Sequence, residues 1–365
     1  MINRLNRWRK AIWRFAKWPV RVAGVVLIPL LIPVGYVELA CRGNATEQTY
    51  RPVITDAAFQ RREANTYLTY PEWHIVYAYD GLAETLKHGD EHAFDYFSSV
   101  AGFWRSTCAL MRVADAHGGA DFDTRSMIHT VGVSFTAEMA VKAVYEETIG
   151  RATAWIRGRE KTPEDRAIAA IAIDYAAFLR QTPWYQYPFT SKIGELWSAP
   201  SSDVVRGSER RFGIGTEFAA KAAYARVIGG AVAATAPAKL TIRSVVTGIS
   251  AARLNRIPNV TVISVHGDGF EIETPRYDLF TRVLVEIASR GGIIQEIAGN
   301  DDIMITLSVP AGAEVPLQHG TVLHRMKRDG FPSDRLIVEV KVPALAAFLR
   351  DHPLGDPGLE HVFDY

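Results

Sequence analysis

The sequence predicts an α+β protein: an N-terminal transmembrane helix, a duplicated all-α helical domain, and a C-terminal ferredoxin-like α/β sandwich. Three observations carry this prediction. Residues 22–37 are free of charge and follow a basic tail, a thirteen-residue segment recurs in a helical context, and apolar spacing turns from helical to alternating near Ala236-Pro237.

The tail, residues 1–21, contains Arg4, Arg7, Arg9, Lys10, Arg14, Lys17 and Arg21 and no acid. These account for seven of the 41 Lys and Arg, leaving 34 against 40 Asp and Glu, so the rest of the chain is acidic. Bases confined to a tail do not form the folded basic face that tracks phosphates, which argues against nucleic acid as a partner. From Trp18 to Ala40 a helix would run roughly 34 Å, enough for a hydrocarbon core of about 30 Å. Pro29 and Pro33 are tolerated in such a helix, and Trp8, Trp13 and Trp18 interleaved with bases suit the headgroup level. A cleaved secretory signal is the competing reading. No small-x-small cleavage site precedes Cys41, and Glu38 stands where a lipoprotein signal needs an aliphatic residue, so an uncleaved anchor over 22–40 is preferred. The positive-inside rule then makes the tail cytoplasmic and places the bulk outside, periplasmic in a bacterium, as a single-pass protein of the inner (cell) membrane. Cys41 and Cys108 have no metal-ligand spacing and are expected as free thiols.

Residues 41–66 read as a polar linker and 67–236 as the helical domain. Thr69-Tyr70-Pro71-Glu72 has the form of a capping box, and Ile75, Tyr79, Leu82 and Leu86 follow at core spacing. His74, among aromatics and close to Glu72, is an acid-base candidate. His88 and His92 have the spacing of a helical metal pair. Gly89 as a stop and Asp90 as a cap would separate them, however, and no metal ligands are predicted. Further helices are expected from Asp90 to about His117, from Thr124 to Ile149 with Gly150 as the stop, and after the cap-and-proline signal Thr162-Pro163.

The repeat organises this domain. Glu138-Met-Ala-Val-Lys142-Ala-Val-Tyr145-Glu-Glu-Thr-Ile149-Gly150 returns 79 residues later as Glu217-Phe-Ala-Ala-Lys221-Ala-Ala-Tyr224-Ala-Arg-Val-Ile228-Gly229, with seven of thirteen positions identical. On a helix, Glu, Lys, Tyr and Ile of each copy share one stripe. Phe97 to Trp104 and Phe189 to Trp197 precede the two copies in the same order, which suggests a tandem duplication about a pseudo-twofold axis. Three readings follow. The stripes face each other as a seam between halves; or Lys142, Tyr145, Glu217, Lys221 and Tyr224 line a cavity for an anionic or lipid-like ligand; or Glu138, Lys142 and Tyr145, with His74, form an acid-base site.

Over 237–365 the order strand, helix, strand, strand, helix, strand extends from Leu240 to Ile297, with an added strand at Ile303 to Val309, and is that of a ferredoxin-like sandwich. Another strand near Leu336 to Val342, a short helix at Ala344 to Arg350 and an irregular tail complete it. No phosphate loop, nucleophile elbow or zinc-protease helix is present, and no cofactor is indicated. The expectation is a membrane-anchored envelope protein that binds a partner protein or a small amphiphilic ligand, with an envelope enzyme as the alternative.

Overall fold

The computed structural model describes residues 24, 27–46, 50–201, 203–234 and 240–365. The expected basic tail, and most of the apolar segment before residue 27, lie outside the described residues. Helix α1 covers 27–40, and among the described residues no helix is long and apolar enough to cross a membrane.

Eight more helices build the helical region: α2 (Ala64–Leu68), α3 (Tyr70–His88), α4 (Tyr96–Ala116), α5 (Phe122–Tyr145), α6 (Arg151–Arg157), α7 (Pro163–Leu179), α8 (Phe189–Ser198) and α9 (Val204–Ala234). Local chemistry explains several ends. Asp95 and Asp121 accept from the backbone of Ser98 and Thr124, capping α4 and α5. Thr162 and Asp165 form a full capping box on α7, with Pro163 in the first turn.

Other boundaries differ from expectation for definable reasons. Thr69 is itself helical and makes no cap bond, because α2 runs into α3 and its hydroxyl donates to the Thr66 carbonyl instead. Gly150 does not stop a helix: α5 passes through a π-helical turn, Glu146–Gly150, straight into α6. The cysteines are not free thiols. Cys41 and Cys108 form a disulfide, because α1 seats Cys41 fully buried against α4. The same corner is held by Arg42, whose guanidinium donates to both Asp115 oxygens at 2.8 and 3.0 Å. The stretch expected as a loose linker is also docked: Tyr50 Oη and the Val53 and Ile54 amides donate to the buried Glu296 carboxylate.

The C-terminal part is a mixture of helices and antiparallel sheet, with two four-stranded sheets where a single sandwich was expected. The first comprises β1 (Thr241–Thr247), β2 (Thr261–His266), β3 (Gly269–Pro275) and β4 (Ile293–Ile297), ordered β2-β3-β1-β4. The second comprises β5 (Asp302–Pro310), β6 (Gly320–Lys327), β7 (Ser333–Lys341) and β8 (Gly358–Val362), ordered β6-β7-β5-β8. The two orders are the same: the first strand of each set lies between its third and fourth. Helices α10 (Ala251–Leu254) and α11 (Asp278–Ser289) belong to the first set and α12 (Val342–Asp351) to the second.

Strand β5 is the junction of the molecule. Ile303, Ile305, Leu307 and Val309 enter a core shared with both sheets, α11 and α12, while Met304 on the opposite face joins the helical core with Ile337 and Phe363. Both faces are covered, so the strand is buried over nearly its whole length. Helix α3 presses on the second sheet: Trp73 stacks on His361 at 3.6 Å, and Tyr77 lies under the Arg335 guanidinium at 3.5 Å. Gly81 permits that approach, since a Cβ there would collide with the Asp329 carbonyl.

Candidate functional site

The repeated stripe is a seam. Lys142 of α5 donates to Glu217 of α9 at 2.7 Å, and Lys221 of α9 lies 2.7 Å from Glu138 of α5. This reciprocity, Glu of each copy with Lys of the other, is what a twofold relation between copies produces. The symmetry is imperfect. Lys221 also contacts Glu217 at 3.1 Å, donates to Tyr79 Oη at 2.7 Å, and sits 4.8 and 5.3 Å from the rings of Tyr79 and Tyr175. Tyr79 in turn donates to Glu138. Thus α3 and α7 supply rings that fill the seam between α5 and α9.

The electrostatics are those of a mutually satisfied cluster. Burial works against ionising Glu217, but the ammonium groups of Lys142 and Lys221 outweigh it and hold the carboxyl down at about 2. Burial likewise opposes the Lys221 charge and is overcome by Glu138, Tyr79 and Glu217, so its pKa rises well above the ordinary lysine value. The two tyrosines of the stripe stand apart from this cluster. Tyr145 donates to Glu209 at 2.5 Å, and Tyr224 is largely exposed with its ring 5.3 Å from that of Trp184.

His74 is in a different environment again. Its Nε2 bonds the Ser99 carbonyl at 2.9 Å, and Phe103 and Phe135 meet its ring edge-on. Burial lowers its pKa to about 3, with the Ser99 bond opposing, so it is a neutral core histidine. The four residues named for acid-base chemistry are therefore not assembled around one reacting position. Gly89 ends α3, and Asp90 precedes a 3₁₀ turn, Glu91–Ala93, so His88 and His92 lie on separate elements.

Sequence reasoning missed a second charged cluster, beside the π turn. Arg206 and Arg210 of α9 are fully buried. Arg210 binds both Glu146 oxygens at 3.1 Å and Glu209 at 2.7 Å, while Arg206 reaches Asp165 at 2.9 Å and the Gly150 carbonyl at 3.0 Å. Arg157 joins Asp90 and Asp165 at 2.9 and 2.6 Å. A Cβ at Gly150 would collide with Glu146 Oε2, which gives this position its need for glycine. Burial, reinforced by Glu91, pushes Glu146 up to about 7 despite Arg210. The available signal was Arg206-Gly-Ser-Glu209-Arg210-Arg211 at the start of a long helix, too many charges to bury unless matched by acids elsewhere.

A cavity lies elsewhere, between α1 and α5. It has a volume of ≈ 530 Å³, inside the range of about 300–1,000 Å³ usual for small-molecule pockets. Leu31, Val34, Phe122 and Val133 supply apolar walls; Glu38, Arg125 and His129 supply a charged end. Glu38 Oε1 accepts from His129 Nε2 at 2.7 Å, and its other oxygen lies 3.7 Å from Arg125 Nη1. The buried Arg125 Nε and His129 Nδ1 have no hydrogen-bond partner among the described residues. Further along the chain, Val141 and Val144 of α5 and Trp155 of α6 are exposed, Trp155 by 82 %. Comparison with family models, curated proteins and solved structures gave no match for this chain.

Proposed function

We propose that this is a membrane-anchored protein of the cell envelope, its bulk in an oxidising compartment, that binds a small amphiphile with an anionic or hydrogen-bond-accepting headgroup in the α1–α5 groove. The single observation that carries the reading is the lining of that groove. Apolar walls grade into a charged end where, among the described residues, Arg125 Nε and His129 Nδ1 are buried without hydrogen-bond partners. Arg125 Nε, a buried donor, costs roughly 1–3 kcal/mol unless something accepts from it, and a headgroup oxygen would.

Two further features support it. The Cys41–Cys108 disulfide is at home in oxidising compartments and rare in the cytosol, in keeping with a basic N-terminal tail held on the cytoplasmic side. The exposed apolar side chains of α5 and α6 form a surface that soluble monomers normally cover, suited to lying near lipid. The ferredoxin-like element order in the C-terminal part adds a scaffold and no chemistry of its own. The seam residues, bonded to each other, act by holding α5 in place.

The experiment is native mass spectrometry of the full chain released from mild detergent, with extraction and identification of any bound amphiphile. Val133→Trp fills the groove and removes the adduct; Arg125→Met weakens retention while leaving the fold intact. A wild-type protein that carries no amphiphile and takes none up from lipid vesicles overturns the reading.

A further inference from the structure

We propose that Glu63, His117 and Asp302 form a binding site for one divalent transition-metal ion, oriented by Glu339. The site is independent of the groove. Its residues come from three places that the fold brings together: the N-cap of α2, the C-cap of α4 and the first residue of β5. Their ligand atoms all lie within 4.8 Å of one another, and Glu63 and Asp302 are buried.

The spacing suits donors around an ion. His117 Nδ1 is 3.7 Å from Glu63 Oε2 and 3.8 Å from Asp302 Oδ2. Metal–ligand bonds of about 2.0–2.2 Å at a tetrahedral angle set donor atoms about 3.4 Å apart, so the two His117 contacts need only a few tenths of an ångström of closure. The opposite ring nitrogen is already engaged as a metal-bound imidazole requires: His117 Nε2 lies 2.9 Å from Glu339 Oε1, the carboxylate–histidine–metal arrangement that fixes ring orientation. Tyr67 donates to the same Glu339 oxygen and so holds that carboxylate in place.

Three carboxylates, Glu63, Asp302 and Glu339, converge on the His117 ring at this corner, with Lys341 against Asp302. Lys341 contacts Asp302 Oδ2 at 2.5 Å from the solvent side, its side chain 61 % exposed. A carboxylate has about four lone-pair positions, so this lysine and a metal can share Asp302. Imidazole with carboxylates selects Zn²⁺, Co²⁺ or Mn²⁺ over Mg²⁺, and three protein donors leave a coordination position for water or another ligand.

The test uses the full chain, stripped of metal with a chelator and titrated with Co²⁺ under visible absorption and with Zn²⁺ by calorimetry. One equivalent per chain is expected, with a ligand-field band for Co²⁺ and a higher melting temperature with Zn²⁺. His117→Gln and Asp302→Asn abolish uptake, Glu339→Gln weakens it about 10–100-fold as expected for a residue acting through the histidine, and Lys341→Ala preserves it. A folded wild-type protein that takes up neither ion stoichiometrically overturns the proposal whatever the variants do. So does uptake that persists unchanged in folded His117→Gln and Asp302→Asn.

Discussion

The seam between the repeats offers a quantitative test at Glu138 and Lys221. In Lys221→Met the ammonium is lost from a position where it touches Glu138 at 2.7 Å, Glu217 at 3.1 Å and Tyr79 Oη at 2.7 Å, with its side chain only 13 % exposed. A pair at 2.7 Å is worth about 6 kcal/mol gross at an effective dielectric of 20, but about 1.5 kcal/mol in water. Desolvation consumes much of the larger figure. Removing one partner from a mostly buried pair costs about 3–5 kcal/mol, and the remaining exposure puts Lys221→Met near the lower end, about 3 kcal/mol. Lys142→Met costs less, about 1–2 kcal/mol, because Glu217 keeps Lys221 whereas Glu138 has no second cation beside it among the described residues. The assay is urea unfolding by tryptophan fluorescence on the cycle Glu138→Gln, Lys221→Met and the double variant, with m held constant. The coupling energy should reach about 1.5 kcal/mol. A value below about 0.5 kcal/mol, that of an exposed pair, refutes the claim that this contact holds the halves together.

Further outcomes follow from the other charged and covalent contacts. Reducing the disulfide, which closes a 67-residue separation, costs about 4 kcal/mol in the chain-entropy model, and Cys41→Ala/Cys108→Ala should show the same loss by denaturant titration; an unchanged midpoint contradicts it. Arg210→Met strands Glu146 and leaves Glu91 and Glu209 to Arg206, and should destabilise by about 3–5 kcal/mol, while an effect under 1 kcal/mol shows the cluster is not a unit. On acidification His74 and Glu217 each withdraw stability in its own window, against an opposite contribution from Glu146, whose raised pKa favours the folded state as pH falls from about 7 to 4.5. His74, at about 3 in the folded chain and 6.5 when unfolded, binds its proton preferentially in the unfolded state, so its contribution declines as pH drops from about 6.5 towards 3. Glu217, depressed to about 2 from 4.5, contributes stability above about pH 4.5 that is lost as pH falls towards 2. His74→Gln should flatten the first window in pH-dependent melting and spare the second; a profile that keeps its slope between pH 6.5 and 4.5 assigns that titration elsewhere.

What was legible in the sequence tracks how local the cause is. Thr162, Pro163 and Asp165 carry a cap within four residues, and the structure has that cap. The Glu138/Lys142 and Glu217/Lys221 repeat was legible because seven of thirteen positions are identical along the chain, and pairing across copies is a matter of geometry. Thr69 has the same local signal as Thr162. It failed because α2 runs into α3, which nothing near Thr69 announces. Strand β6 was missed because Gly320–Lys327 alternates only weakly and carries His, Arg and Lys, as an edge strand can, and β8 because it is five residues long. The disulfide, the buried arginines and the His117 corner join residues far apart in sequence, and no spacing rule reaches them. The groove was invisible for the same reason: α1 reads as an anchor, yet Val37 and Cys41 are buried in the folded domain and Glu38 binds α5.

The central claim is that the space between α1 and α5 is a ligand site. Native mass spectrometry of the wild-type chain and of Val133→Trp, purified side by side in mild detergent, addresses it directly. The account predicts one amphiphile per wild-type chain and none on the variant, with equal melting temperatures after delipidation. Equal adducts on both proteins, or none on the wild type even after exposure to lipid vesicles, would contradict it.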